Sequence, residues 1–195
     1  MLDKSTFLIR EHVGFAKLHE AYDILDPATG QKIGEAKEET STWVKLLKFV
    51  VNKTMLPFKV VIRDAGGAAL VEVRRGFTFL RSVVNVYDAE GGRLGYFRQK
   101  VFSLGGQFDF YDDADAHVAT LKGDWKGWNF KFTSSGGEEM GVVTKKWAGI
   151  GKELFTTADN YVVDISPTFA ETKAGLVPLL LAGAVAIDMV LKETG

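Results

Sequence analysis

Cysteine is absent from the 195 residues of this chain. That excludes disulfides, thiolate metal ligands and Cys nucleophiles, and it fits a reducing compartment. Histidine is nearly absent too: His12, His19 and His117 lie far apart, outside any HExxH or zinc-ligand spacing. Charge of one sign is not in excess, since 24 basic residues face 25 acidic ones for a net charge of -1. No global field would gather nucleic acid, and none is expected as a partner. The N-terminal "MLDKSTFLIREHVG" lacks a long apolar run after a basic start, so it does not read as a signal peptide. A trustworthy lipidation motif is missing at both ends. "NKT" at 52–54 matches the glycosylation sequon, but without a secretion signal it carries no weight.

Catalytic motifs are equally scarce. Ser103 and Ser166 stand in no GxSxG elbow, and "GIGKEL" at 149–154 lacks the spacing and the Ser/Thr of a phosphate loop. No enzymatic activity is expected, and no cofactor beyond calcium, considered below.

What the chain does have is short runs rich in Val, Phe, Tyr and Ile, broken by Gly and Asp. "FKVVIRD" and "AALVEVRR" flank "AGG" at 65–67; "FTFLRSVVNVYD" and "RLGYFRQKVFS" flank "AEGG" at 89–92. Such runs separated by such turns predict antiparallel hairpins. The Gly-Gly turns recur roughly every 20–25 residues without a convincing repeat of side chains. About a dozen strands are expected in one domain spanning 1–195, a length able to bury roughly 70% of its extended surface. So many strands close into a barrel or split into two stacked sheets.

Two stretches break the rhythm. "STWVKLLKFVVNK" at 41–53 sets Trp43, Leu47, Val50 and Val51 near one helical face, with Ser41 or Thr42 as cap. The closing "KAGLVPLLLAGAVAIDMVLKETG" runs 14 residues, 174–187, without a charge before Asp188. A helix over 174–193 would be about 30 Å long at ~1.5 Å per residue. A 10–14-residue apolar run is nevertheless the length of a buried core helix, where a span takes about 20. Asp in the middle of a lipid-facing helix costs roughly 2.5–3.5 kcal/mol. A helix apolar all round must be covered on every side, and a twelve-strand barrel has an interior to fill. The favoured reading is a helix plugging the barrel, against a membrane span or an oligomer interface. Asp188 is then expected near a barrel mouth, paired with an Arg or Lys.

"VTKKWAGIGKELFTTADNYVVDI" at 143–165, followed by 173–193, resembles the C-terminal part of the phospholipid scramblases. Trp147, Gly149, Glu153, Phe155, Asp159, Asn160, Asp188 and Glu193 fall where that family's motifs place them. The order of elements through 7–165 also resembles the LURP-one-related proteins and, more distantly, the tubby C-terminal domain. The resemblance implies a closed antiparallel barrel of twelve strands around a central hydrophobic C-terminal helix. It also implies a link to membrane lipid: scramblases move phospholipids between leaflets in a calcium-dependent way, and tubby-like domains bind phosphoinositide headgroups. Two features depart from the scramblase pattern. There is neither a Pro-rich N-terminal region nor a Cys cluster for acylation, and the acidic segment after the Asp-Asn pair is depleted to Asp159, Asn160 and Asp164. Those three are the candidate calcium ligands, set against a plain turn before a strand; calcium favours six to eight oxygens.

The strongest functional signal read from the residues is electrostatic. Between Ser41 and Arg63 stand Lys45, Lys48, Lys53, Lys59 and Arg63 and no acidic residue, interleaved with Trp43, Phe49, Leu56 and Phe58. Arg74, Arg75 and Arg81 flank "GFTFL" nearby. These eight basic residues are the candidate contacts to anionic lipid or phosphate, each Lys near such a surface contributing roughly 1 kcal/mol. The alternative is a helix that caps one barrel end with Trp43 inward and its lysines solvated. "DFYDDADAH" gathers Asp109, Asp112, Asp113 and Asp115, which an Asp-rich hairpin turn explains more cheaply than a metal site. Trp128, Phe130 and Phe132 fall on one strand face and are expected in the core. The leading expectation is a non-enzymatic, cytoplasmic protein, peripheral at the membrane, that responds to anionic phospholipid or serves as an adaptor. Its rivals are a scramblase with a membrane-inserted helix and a protein-binding scaffold.

Overall fold

The computed structural model describes residues 1–12, 20–47, 51–52, 55–78, 82–100, 106–124, 127–145 and 160–192. Twelve strands run through them: β1 Thr6–Glu11, β2 Ala21–Leu25, β3 Lys32–Glu38, β4 Phe58–Asp64, β5 Ala69–Arg75 and β6 Val83–Asp88, then β7 Arg93–Gln99, β8 Gln107–Asp112, β9 His117–Asp124, β10 Asn129–Ser134, β11 Glu139–Thr144 and β12 Asn160–Ile165. Every strand pairs antiparallel with its sequence neighbours, and β12 closes onto β1 with Phe7 opposite Val163. Of the two architectures open to a dozen strands, the chain adopts the closed barrel. Closure leaves no exposed sheet edge.

Alternation sets the wall. Phe58, Val60 and Ile62 of β4, Val71 and Val73 of β5, and Phe130 and Phe132 of β10 all turn inward and are at most 5% exposed. Trp128 packs at the margin of that cluster, 6.0 Å from the Phe130 ring and 5.1 Å from Tyr161. On the outer side, Leu8 faces Leu25 and Val162 across β1, β2 and β12 in a separate small buried cluster.

Inside lies the closing helix. After α2 (Pro167–Thr172) and a 3-10 turn at Ala174–Leu176, α3 runs from Val177 to Lys192. Val177, Leu179 to Ala182, Val185, Ala186 and Val190 are all at most 2% exposed, so the helix is covered on every side. Full burial of each Leu or Val side chain is worth roughly 1.5–3 kcal/mol, and this helix contributes a large share of the core. Small residues allow the fit. A Cβ on Gly183 would stand 2.3 Å from Phe110 Cε1, where that ring stacks on Phe97 at 5.0 Å. The helix was expected from residue 174; it begins three residues later because the chain first makes the tighter turn.

Because each strand reverses direction, connections alternate between two barrel ends. At one end four successive hairpins repeat one bonding scheme. In each, the residue at the first position (Asp64, Asp88, Asp112 or Ser134) accepts a backbone hydrogen bond from the residue three positions on. It also donates its own N–H to the carbonyl four positions on. Its side chain accepts further backbone N–H groups, as Asp64 does from Gly66 and Ala68 at 2.9 Å each. The fourth residue of each turn sits in the left-handed region: Gly67 at φ 87, Gly91 at 87, Asp115 at 62 and Gly137 at 88. Glycine adopts that conformation at no steric cost, which is the physical content of the recurring Gly signal. The Asp-rich segment 109–117 is one such turn, with Asp112 capping Ala114 and Ala116.

Candidate functional site at the loop end of the barrel

The opposite end carries the long connections, including α1 (Thr42–Leu47) between β3 and β4. The helix was expected over 41–53; its six described residues end at Leu47, whose carbonyl accepts from Val51 N at 2.8 Å, and 48–50 lie outside the described residues. Trp43 is 76% exposed, so the alternative with Trp43 turned inward does not hold. The β5–β6 connection lies alongside: Thr78 N donates to the Met55 carbonyl at 3.1 Å. There Phe77 is 65% exposed, and Val83 opens β6 at 39%. Among the described residues these are the three exposed large hydrophobic side chains, and all belong to this end.

The candidate basic residues divide into three groups. Lys59, Arg63 and Arg74 come together on the outer face of β4 and β5, where register sets Lys59 opposite Arg74. Two carboxylates meet them. Lys59 Nζ is 3.0 Å from Glu72 and 3.9 Å from Glu39, Arg63 is 2.6 Å from Glu39, and Arg74 bonds Glu72. Burial pushes the Glu72 carboxyl up, but hydrogen bonds from Arg74 and Lys59 outweigh it and hold the group below its usual range. Arg75 points the other way. It is 3% exposed, donates to the Leu56 carbonyl at 2.6 and 3.1 Å, and lies over the Phe58 ring at 4.6 Å. Lys48, Lys53 and Arg81, with the side chain of Lys45, lie outside the described residues.

The candidate calcium ligands do not gather. Asn160 opens β12 and is 2% exposed, whereas Asp164 near its far end accepts from Thr6 Oγ1 at 2.7 Å. Four residues of extended strand separate them by about 13 Å, too far for one ion whose oxygens lie at roughly 2.3–2.6 Å. Asp159 lies outside the described residues. Among those residues no group of three His, Asp or Glu is placed to hold a metal.

Asp188 lies at the barrel end where β2 begins, and a phenol is among its partners. The Tyr22 hydroxyl donates to its Oδ2 at 2.8 Å, with both residues buried. Burial pushes the Tyr22 phenol well above its ordinary value, and the Asp188 charge adds to the shift. Tyr161, fully buried nearby, is raised by the same two causes in the same order. Sequence reasoning missed this pairing, as it missed Glu39 and Glu72, because both depend on strand register. The alternation of "ALVEVRR" does put Glu72 on the outer face; nothing local says it meets Lys59.

The fold is a closed up-and-down barrel threaded by an apolar helix, with a basic strip on its outer face. Residues 13–193 match the scramblase family, and the chain belongs to it. It is similar to the altered inheritance rate of mitochondria protein 25 of Saccharomyces cerevisiae (strain ATCC 204508 / S288c). The two are 24% identical over 238 residues, which cover 96% of this chain and 70% of that protein. No solved structure matches. Family membership supports a phospholipid-related role, in a family that is not generally catalytic in the enzymatic sense. Among the described residues no helix is long and apolar enough to cross a membrane.

Proposed function

We propose that this protein is a non-enzymatic, peripheral lipid-responsive protein that binds anionic phospholipid headgroups through the basic residues around its β3–β4 and β5–β6 connections. The observation that carries this reading is the burial of α3. With Leu179 to Ala182 fully enclosed by the wall, the most apolar segment of this scramblase-family chain has no surface to offer a bilayer. Lipid contact then falls to the outside, where exposed Trp43 and Phe77 belong to the two connections whose sequences hold Lys45, Lys48, Lys53 and Arg81. On the strands, Glu39 and Glu72 already partner Lys59, Arg63 and Arg74. Calcium at Asp159, Asn160 and Asp164 has weaker support, given the spacing along β12.

Sedimentation with vesicles tests the proposal. Recovery should be high with phosphatidylserine and low with phosphatidylcholine alone, and should fall with added salt, because screening removes the attraction. Charge reversal at Lys45 and Lys48 should weaken it by roughly tenfold or more, at about 1 kcal/mol per charge removed and more for reversal. Equal recovery across lipid compositions would sink the reading and favour a protein-binding scaffold. Calcium-stimulated lipid exchange by reconstituted protein would instead favour a scramblase with an inserted helix.

A further inference from the structure

The two ends of the barrel carry opposite charge. Between the strand bounds, the six connections at the α1 end contain ten Lys or Arg against four Asp or Glu. The five tight turns at the other end contain five Asp or Glu and no Lys or Arg, while residues 1–5 and 166–176 at that end add Asp3 and Glu171 against Lys4 and Lys173; Asp26 pairs with Lys4 and Asp115 with Arg93. On this sequence count a chain with net charge -1 carries an axial separation of charge, with Lys17, Lys48, Lys53, Arg81, Lys126, Lys146, Lys152 and the side chain of Lys45 lying outside the described residues. Such a dipole orients a molecule before contact, turning its basic end toward an anionic surface. The exposed Trp43, Phe77 and Val83 lie at that same end. Single exposed apolar residues are ordinary on a protein surface; three gathered at the basic end and none at the acidic end, among the described residues, are not. Tryptophan and phenylalanine favour the headgroup layer, where rings leave water beside polar groups. Glu39 is the acidic residue of the β3–β4 connection, and Arg63 and Lys59 already pair with it.

We propose that the barrel docks end-on to an anionic bilayer, with Trp43 and Phe77 entering the headgroup layer and the acidic hairpin turns directed away. This rests on the lipid reading above and adds the orientation, the inserting residues and the role of charge separation. The axis of α3 then lies along the membrane normal inside the barrel, without the helix touching lipid.

The absence of cysteine makes the test clean, because one introduced cysteine is unique. An environment-sensitive fluorophore is attached in turn to F77C and to A114C, the latter on an exposed acidic turn. Each labelled protein is mixed with phosphatidylcholine vesicles with and without phosphatidylserine, after its thermal midpoint is shown to match the parent's. The label at 77 should brighten and shift to the blue on anionic vesicles, while the label at 114 stays as in water. W43S combined with F77S, both at exposed positions, should reduce partitioning by roughly tenfold or more with an unchanged thermal midpoint. If unlabelled protein sediments with anionic vesicles but the label at 77 is silent or the label at 114 responds, end-on docking is overturned while lipid binding stands. If the unlabelled protein does not sediment at all, the lipid reading falls and the docking geometry with it.

Discussion

At the acidic end of the barrel, hairpins close in four to six residues and their own side chains satisfy the turn. At the basic end, connections run from four to nineteen residues. The contrast extends inward. All the buried polar or charged side chains among the described residues (Glu38, Thr40, Arg75, Ser82, Thr144, Asn160 and Asp188) lie toward the basic end. The tight-turn end has none, because its polar groups are local and face water. At the other end polar groups at strand ends are enclosed, and burial makes partners within the protein valuable to them, as for Arg75 with the Leu56 carbonyl. The helix runs between these environments. Leu179 approaches the Gly95 position near the tight-turn end, Gly183 meets Phe110, and Asp188 meets Tyr22. Its C-terminus, the negative end of its dipole, thus points toward the basic connections. One end closes locally, and the other encloses polar side chains.

The largest effect expected from this contrast is an aspartate placed in the wrong half of the helix. Asp188 is accommodated because Tyr22 donates to it, whereas Leu180 is 0% exposed within the apolar cluster. Leu180→Asp should cost about 3 kcal/mol or more, lowering the thermal midpoint by on the order of 10 °C. A midpoint equal to the parent's would show that the helix is not enclosed.

Tyr22→Phe is the intermediate case. It leaves a buried Asp188 oxygen without this donor and should cost about 1–3 kcal/mol at neutral pH. The parent should also lose stability in alkali. Above pH 10.0, the ordinary tyrosine value, the unfolded phenols ionise while buried Tyr22 and Tyr161, both raised, stay protonated. The unfolded state then binds fewer protons, so stability falls as pH rises toward the folded values. Thermal midpoints measured across the alkaline range should decline less steeply for Tyr22→Phe. Identical slopes would place Tyr22 outside the buried pair.

At the tight-turn end the effect should be small. Asp64→Ala removes the acceptor for Gly66 and Ala68 on an exposed turn, where water replaces it. A loss of about 1 kcal/mol is expected, read by urea titration, with no change in vesicle binding. A larger loss, or altered binding, would mean the ends are coupled rather than independent.

Much of the barrel was legible in the residues. Alternating runs such as "FKVVIRD" and Gly-Gly turns are local signals from which the strand count followed, and the buried closing helix, expected over 174–193, followed from its short uncharged apolar run. The basic stretch was legible as composition but not as a site. Only register reveals that Lys59 and Arg74 share Glu72. Arg74 and Arg75 read alike in the chain, yet strand alternation sends one outward and the other into the barrel.

The sequence by itself determined the strands, the turns and an interior helix, because hydrophobic period, glycine at left-handed positions and an apolar run of limited length act over a few residues. Only the tertiary structure decided which charges meet, that Asp188 pairs with a tyrosine, and that exposed aromatics and basic connections share one end. Those outcomes depend on closing twelve strands in one register, which brings together residues as distant as Tyr22 and Asp188 and fixes for every side chain whether it faces water or core.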